Sequence, residues 1–267
     1  LLQNKGNETE FLHEVKYLRN RHPFIIHLHD VFITSQPKKI YIVMHYCEGG
    51  DLGKVISTAL KIQVHIPEGQ IFKWFCQISL AVDFLHDLRI IHRDIKPQNV
   101  LLSDSGEVAQ LADFGLATQL ADNEQCFKSC EVGTPYYTAP EMINAEPCSF
   151  PVDNWSLGVV LFELLALDLP FDGEDTISLV KKILSESYNA DLISKDVYSP
   201  DLVGVVDGLL CKDPAQRMTA SQVLTSPGMT SRAAHLPSHY RPKYLEERLK
   251  RAHVKQMTCQ LENLGVH

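Results

Sequence analysis

HRDIKPQN, residues 92–99, sets Arg93, Asp94 and Lys96 between two apolar runs, FLHDLRII at 84–91 and VLLSDSG at 100–106. Charge in a loop reads most simply as a solvated turn. The residues downstream argue against an idle loop. Asp94 is trailed by Asn99 and, after the apolar QLA, by Asp113-Phe114-Gly115, so a strongly polar group comes after each short strand. Two carboxylates and an amide are hard oxygen donors, and they suit a divalent metal that keeps its remaining positions for phosphate oxygens.

Upstream, NETEFLHEVKYLRNRHPF puts Phe11, Val15 and Leu18 on one helical face, with His22-Pro23 as the stop. IIHLHDVFIT and KKIYIVMHY, rich in β-branched residues and separated by a turn-like SQPKK, predict a hairpin. Glu48-Gly49-Gly50 then reads as a hinge. From Asp51 onward the periodicity is helical, in DLGKVISTALKI, PEGQIFKWFCQISLAVDFLHDL, VDNWSLGVVLFELLAL, DTISLVKKILSESY and SPDLVGVVDGLLCK. Only short strands around IIH, VLL and AQLAD interrupt them. No internal repeat or low-complexity block is present. RPKYLEERLKRAHVKQMTCQLENL, near the end, reads as a charge-rich helix and a solvated extension.

The bulk properties are those of a globular chain: 267 residues, 45% hydrophobic, 22% charged. A formal net charge of -8 argues against a nucleic-acid footprint and against a polybasic membrane anchor. LGVVLFELLALDLPF, the longest apolar run, is broken by Glu163 and Asp168 and is too short to span a bilayer. Seven scattered cysteines with no CxxC pair and no zinc spacing predict reduced thiols, hence a cytosolic or nuclear setting. The chain opens on Leu1-Leu2 without a signal peptide, and reads as a stretch inside a longer protein.

HRDIKPQNVLL, LADFGLA and GTPYYTAPE, in that order, resemble the protein kinases. The resemblance runs from residue 8 to about 228. It implies an α+β, bilobal fold: residues 1–47 as part of a small lobe, 48–230 as a mainly helical large lobe, and 231–267 as an extension. It implies Asp94 as acceptor of the attacking hydroxyl's proton, Asn99 and Asp113 as holders of Mg2+, and Lys96 as a cation for the γ-phosphate of ATP. Lys96 two residues after Asp94, with Thr134 to bridge them, resembles the serine/threonine rather than the tyrosine branch. Met44 would gate the pocket behind adenine, backbone groups of Tyr46 and Cys47 would bind its edge, Asp51 would reach the ribose, and Leu101 would pack under the ring.

Further roles come from the same likeness. Asp153 would receive the backbone of the catalytic loop; without the resemblance it reads as a helix N-cap. Glu141 would pair with Arg217. Leu18, Leu28, His92 and Phe114 match a stack linking the lobes, with Gly115 completing the Asp-Phe-Gly turn. Ser129 is a candidate phosphorylation site whose phosphate would pair with Arg93. EGGDL, PEGQIFKWFCQISLAVDFLH and VGTPYYTAPE look most like the NIMA-related branch, whose members have cell-cycle and ciliary roles. The setting would then be cytoplasmic, cytoskeletal, ciliary or nuclear, with ATP and protein substrates as partners, and neither nucleic acid nor membrane.

The start departs from the pattern. Neither a Gly-rich loop nor a strand Val-Ala-x-Lys precedes Glu14, which matches the glutamate that such a Lys would pair with; Lys5, in polar QNKGN, does not fit that place. Two readings stand side by side: a partial catalytic domain of an active kinase, or a pseudokinase-like scaffold. A non-protein phosphotransferase is a more distant third, since it would lack the Thr134 and Ala139-Pro140-Glu141 platform.

Overall fold

The computed structural model describes residues 15–35, 38–128, 135–226 and 228–229. Glu14, Ser129, Thr134, the extension from 231 and all but the last turns of the first expected helix lie outside them. Residues 15–18 are helical, and Tyr17 and Leu18 are buried.

The predicted hairpin forms. β1 (Leu28–Ser35) pairs antiparallel with β2 (Lys38–Met44), in a register that sets Val31 opposite Ile42 and Phe32 opposite Tyr41. Those last two rings stack at 4.9 Å, the kind of cross-strand pair that steadies a two-stranded ribbon. A second sheet orders β3 (Gly50–Asp51), β5 (Val100–Ser103) and β6 (Val108–Leu111) as β3-β5-β6. Two short ladders join β4 (Ile90–Ile91) to β7 (Thr118–Gln119), and β8 (Phe127–Lys128) to β9 (Pro147–Cys148). Two-residue strands carry no periodicity, so β7, β8 and β9 had no signal of their own.

The five expected helices are all present: α1 (Leu52–Ile62), α2 (Glu68–Asp87), α4 (Pro151–Ala166), α5 (Thr176–Ser185) and α6 (Pro200–Leu209). Between them and after them lie α3 (Pro140–Ile143) and α7 (Ala220–Thr225), neither of which is expected from periodicity. Each start has a local cause. Asp51 caps α1 through its side chain on Lys54 N at 2.9 Å, and Pro151 and Pro200 occupy first-turn positions where no N–H is needed. α7 has a reciprocal capping box, Thr219 with Gln222.

α4, and α2 beyond its first turns, are largely buried because other elements pack against them on most sides. Trp155, Phe162, Phe72 and Phe75 fill the space around them. Gly158 lets α4 and α6 meet closely: a Cβ there would lie 2.8 Å from Leu209 Cβ and 2.9 Å from Leu210 Cδ2. Residues 24–26 zip the hairpin's base onto β6, through Leu111 N to Phe24 O and Ile26 N to Leu111 O, both 2.9 Å. Cys47, Cys76, Cys126, Cys148 and Cys211 are free thiols, as the sequence predicts. No helix among the described residues is long and apolar enough to cross a membrane.

Candidate active site

β4 and β5 flank the 92–99 loop, and a 3-10 turn at Pro97–Asn99 returns the chain so that Asn99 N donates to Lys96 O at 3.0 Å. That return brings two side chains onto one carboxylate. Lys96 Nζ lies 2.7 Å from Asp94 Oδ2, and Asn99 Nδ2 donates to the same oxygen at 2.8 Å and to Asp94 O at 2.9 Å. Charge-assisted bonds of this length fix the rotamer as well as the charge. With its amide nitrogen committed, Asn99 has Oδ1 left as an oxygen donor.

Asp153 holds the loop's backbone. It is fully buried on the first turn of α4, and the cap position is Phe150, so the N-cap reading fails. Its Oδ2 accepts from His92 N at 2.8 Å and its Oδ1 from Arg93 N at 2.8 Å. His86 Nε2 adds a third contact to Oδ2 at 2.9 Å. Burial pushes this carboxyl's pKa up, but the His86 bond and charge, with His92, outweigh it and leave the net shift downward. The anion is kept because the loop donates to it. Arg93 adopts a left-handed φ of 66°, a strain held in place by these bonds.

His92 is wholly buried and meets Phe114 edge-on at 4.8 Å. Burial holds its pKa below the ordinary value despite the nearby carboxylates of Asp153, Asp94 and Asp113. A neutral ring matches the bonding: Nδ1 accepts from Asp94 N at 3.3 Å, and Nε2 faces Ala112 O at 3.2 Å. Leu18 is buried in the same core and Leu28 packs against it half-buried. Asp113 also has φ positive, at 65°, and is exposed; Gly115 N donates to its Oδ1 at 3.3 Å.

Asn99 and Asp113 thus present an amide oxygen and an exposed carboxylate, a hard donor pair that fits Mg2+ shared with phosphate. Among the described residues no cluster of three His, Cys, Asp or Glu side chains forms a metal cage.

Of the residues expected to meet the nucleotide, Met44 and Leu101 are half-buried against the core, and Tyr46 is 81% exposed. Cys47 is half-buried, its thiol pushed up to about 11 by burial and by Glu48. Asp51, expected at a ribose, is tied as the α1 cap and lies 3.4 Å from Lys54 Nζ. Arg93 donates through Nε to Leu116 O at 2.6 Å and lies over the Phe127 ring at 5.2 Å.

On the far side, Glu141 and Arg217 form the expected buried pair, two-pronged at 2.6 and 2.9 Å. Arg217 also donates to Cys211 O, Pro151 O and Lys212 O.

Three contributors are residues to which the sequence motifs assign no role. His86 orients Asp153, as above. Gln110 gives Nε2 to Pro23 O at 3.1 Å and accepts on Oε1 from Ser103 Oγ at 3.3 Å and Cys47 Sγ at 3.6 Å. Tyr137 donates to Glu163 Oε2 at 2.7 Å. Burial, with Asp168 nearby, raises the Glu163 carboxyl to about 7 against that bond's pull. Polar residues in apolar helices and strands were the available signal at His86, Gln110 and Glu163.

Comparison with known sequences agrees with this geometry. The profile of the protein kinase domain matches residues 2–229. The chain is 37% identical over 227 residues to the serine/threonine-protein kinase Nek5 of Homo sapiens, covering 85% of this chain and 30% of that protein. It is 40% identical over 212 residues to the serine/threonine-protein kinase Nek1 of Mus musculus, covering 79% of this chain and 17% of that one. The SNF1-like protein kinase ssp2 of Schizosaccharomyces pombe is 37% identical over 244 residues, covering 91% and 39%. The chain therefore spans well under half the length of each of these relatives.

Proposed function

The chain belongs to the protein kinase family, and from that premise we propose that it is a serine/threonine kinase of the NIMA-related type, moving the γ-phosphoryl group of ATP to protein hydroxyls. The observation that carries this reading is Asp94, whose Oδ2 is held by both Lys96 and Asn99 on a loop that Asp153 pins from below.

In that role Asp94 takes the proton of the attacking Ser or Thr hydroxyl and turns its oxygen toward the phosphorus. Lys96, beside it, faces the transferred group with positive charge. Asn99 Oδ1 and Asp113 would hold Mg2+, which when bound offsets phosphate charge. The protein's own contribution is placement: Asp153 and His92 fix the loop before substrate arrives, so little reorganisation is left for the reaction itself. Met44, Tyr46, Cys47 and Leu101 would form the adenine side, and Asp51 would reach the ribose. Glu141 with Arg217 would brace the substrate side, with Thr134 between Asp94 and Lys96. Phosphate on Ser129 would order its loop against Arg93.

The NIMA-related assignment draws on the EGGDL and VGTPYYTAPE motifs and on the Nek relatives. A cytoplasmic, cytoskeletal, ciliary or nuclear setting belongs to the same proposal.

The test is transfer of labelled phosphate from Mg-ATP to a generic Ser/Thr protein substrate, comparing the chain with Asp94→Asn and Asp113→Ala. Both variants should fall by about a hundredfold or more, the usual contribution of a positioned base or metal ligand. Equal rates in all three would leave a partial catalytic domain or a scaffold, and the same assay on a chain extended upstream decides between them.

A further inference from the structure

A groove of about 620 Å³ lies outside the candidate active site, between α1, the 63–67 loop and the first turns of α2. Val55, Ala59, Ile62, Val64, Ile66 and Trp74 line it. Leu60, Ile62 and Val64 are 57%, 61% and 53% exposed. Three large aliphatic side chains open to water within five residues form the sort of patch that marks an interaction surface.

The lining itself carries Lys54 and His65, and acidic side chains adjoin one end of the groove. Trp74 donates its Nε1 to Gly106 O at 2.7 Å, which seats the 104–107 turn against the floor. That turn carries Asp104 and Glu107, the latter paired with Lys73, and Glu48 accepts from Ser105 N at 2.9 Å beside them. An occupant should therefore be apolar along one side and basic at that end.

The chain itself contains such a segment. Met229 is buried, and Gly228 abuts α2, where a Cβ would lie 3.2 Å from the Phe72 ring. Phe72 faces the opposite side of α2 from Gln70 and Trp74, which line the groove. The 11 residues from 230 to 240 reach at most about 40 Å, against a helix diameter of about 10 Å, so the chain can pass round α2 with length to spare.

Beyond them, RPKYLEERLKRAHVKQM at 241–257 spaces Leu245, Leu249 and Ala252 at i, i+4 and i+7, with Arg248, Lys250, Arg251 and Lys255 among them. Residues 231–267 hold seven Lys and Arg against three Glu, while the rest of the chain holds 18 basic against 30 acidic residues. Spacing, charge and point of departure all agree.

We propose that residues 241–257 dock in cis in this groove, with Leu245 and Leu249 on Ile62, Val64 and Trp74 and the basic residues toward Glu48, Asp104 and Glu107. The docked segment would cover the exposed aliphatic patch at the end of α1, the helix that follows β3. Docking of this kind does not depend on phosphoryl transfer.

Hydrogen exchange on the full chain tests it. Amides of 59–66 and 245–255 should exchange about tenfold faster in the Leu245→Asp/Leu249→Asp double variant than in the unaltered chain. Ile62→Asp, in the groove, should release 245–255 by a similar factor, while amides of α4 stay unchanged in both variants and report an intact fold. Protection should not vary over a tenfold dilution. No protection of 245–255 in the unaltered chain, or protection indifferent to Ile62→Asp, overturns the proposal. Protection lost on dilution also overturns it, because the groove would then be filled by a second copy.

Discussion

A buried carboxylate is costly unless its oxygens are occupied, and Asp153 takes three donors from two segments of chain. Its pKa shift is downward, so its stabilisation is present above the ordinary carboxylate range and is lost as pH falls through the lower folded value. Glu163 runs the other way. Its carboxyl is raised from 4.5 to about 7, so the folded chain keeps a proton that the unfolded chain has released. Stability from this residue is greatest below pH 4.5 and declines as pH rises toward about 7. Glu163→Gln removes that titration. Urea unfolding at pH 5 and pH 8 should show the variant gaining on the unaltered chain by on the order of 2 kcal/mol over this interval. A constant difference would mean that Tyr137 holds the carboxylate ionised throughout.

Between elements, single contacts decide whether helices are joined or merely adjacent. Arg217 ties the 210–218 stretch to α3 through Glu141 and to the start of α4 through Pro151 O. A buried, two-pronged pair is not by itself a large net stabiliser, because desolvation offsets most of the attraction. Removing one partner strands the other. Arg217→Ala should therefore cost about 3–5 kcal/mol in urea unfolding, and adding Glu141→Ala should cost less than the sum of the two single changes. Simple additivity would show that the pair is uncoupled. At Gly158 the joining is steric: only the absent side chain lets α4 approach Leu209 and Leu210 so closely. The same α4 supplies Asp153, so this packing also sets the height of the 92–99 loop.

For the whole molecule, the question is how the hairpin is coupled to the helical part that bears Asp94 and Asp113. Two devices do it: the backbone bonds between 24–26 and Leu111, and the Gln110 side chain reaching Pro23 O and the Cys47 thiol. Both end within a few residues of Asp113. A ligand that binds at Asp94 and Asp113 and touches the hairpin should therefore stabilise the fold as a unit. Mg-ATP at a hundredfold excess over its Kd should add about 2.7 kcal/mol, a rise in Tm on the order of 5 °C by scanning calorimetry. Asp113→Ala should lose the part of that rise which depends on Mg2+. An equal rise with ATP alone would place the metal elsewhere.

The sequence by itself determined the long helices, the hairpin and the identity of the main polar residues: Asp94, Lys96, Asn99, Asp113, Asp153, Glu141 and Arg217. Helical period and the order of Asp94, Asn99 and Asp113 are local and were legible for that reason, whereas Lys96, Glu141, Asp153 and Arg217 were singled out only through the resemblance to the protein kinases. The α7 helix was legible in principle through its Thr219 to Gln222 capping box, though its six residues are too few for periodicity. What only the tertiary structure decided are the partners. His86 meets Asp153 across 67 positions, and Gln110 meets Pro23 across 87. β7, β8 and β9 exist only as halves of ladders. Burial decided the charge states as well. Nothing in the order of residues says that Glu163 is closed off beside Tyr137 or that His92 is kept neutral, since desolvation depends on what the rest of the chain packs around a group.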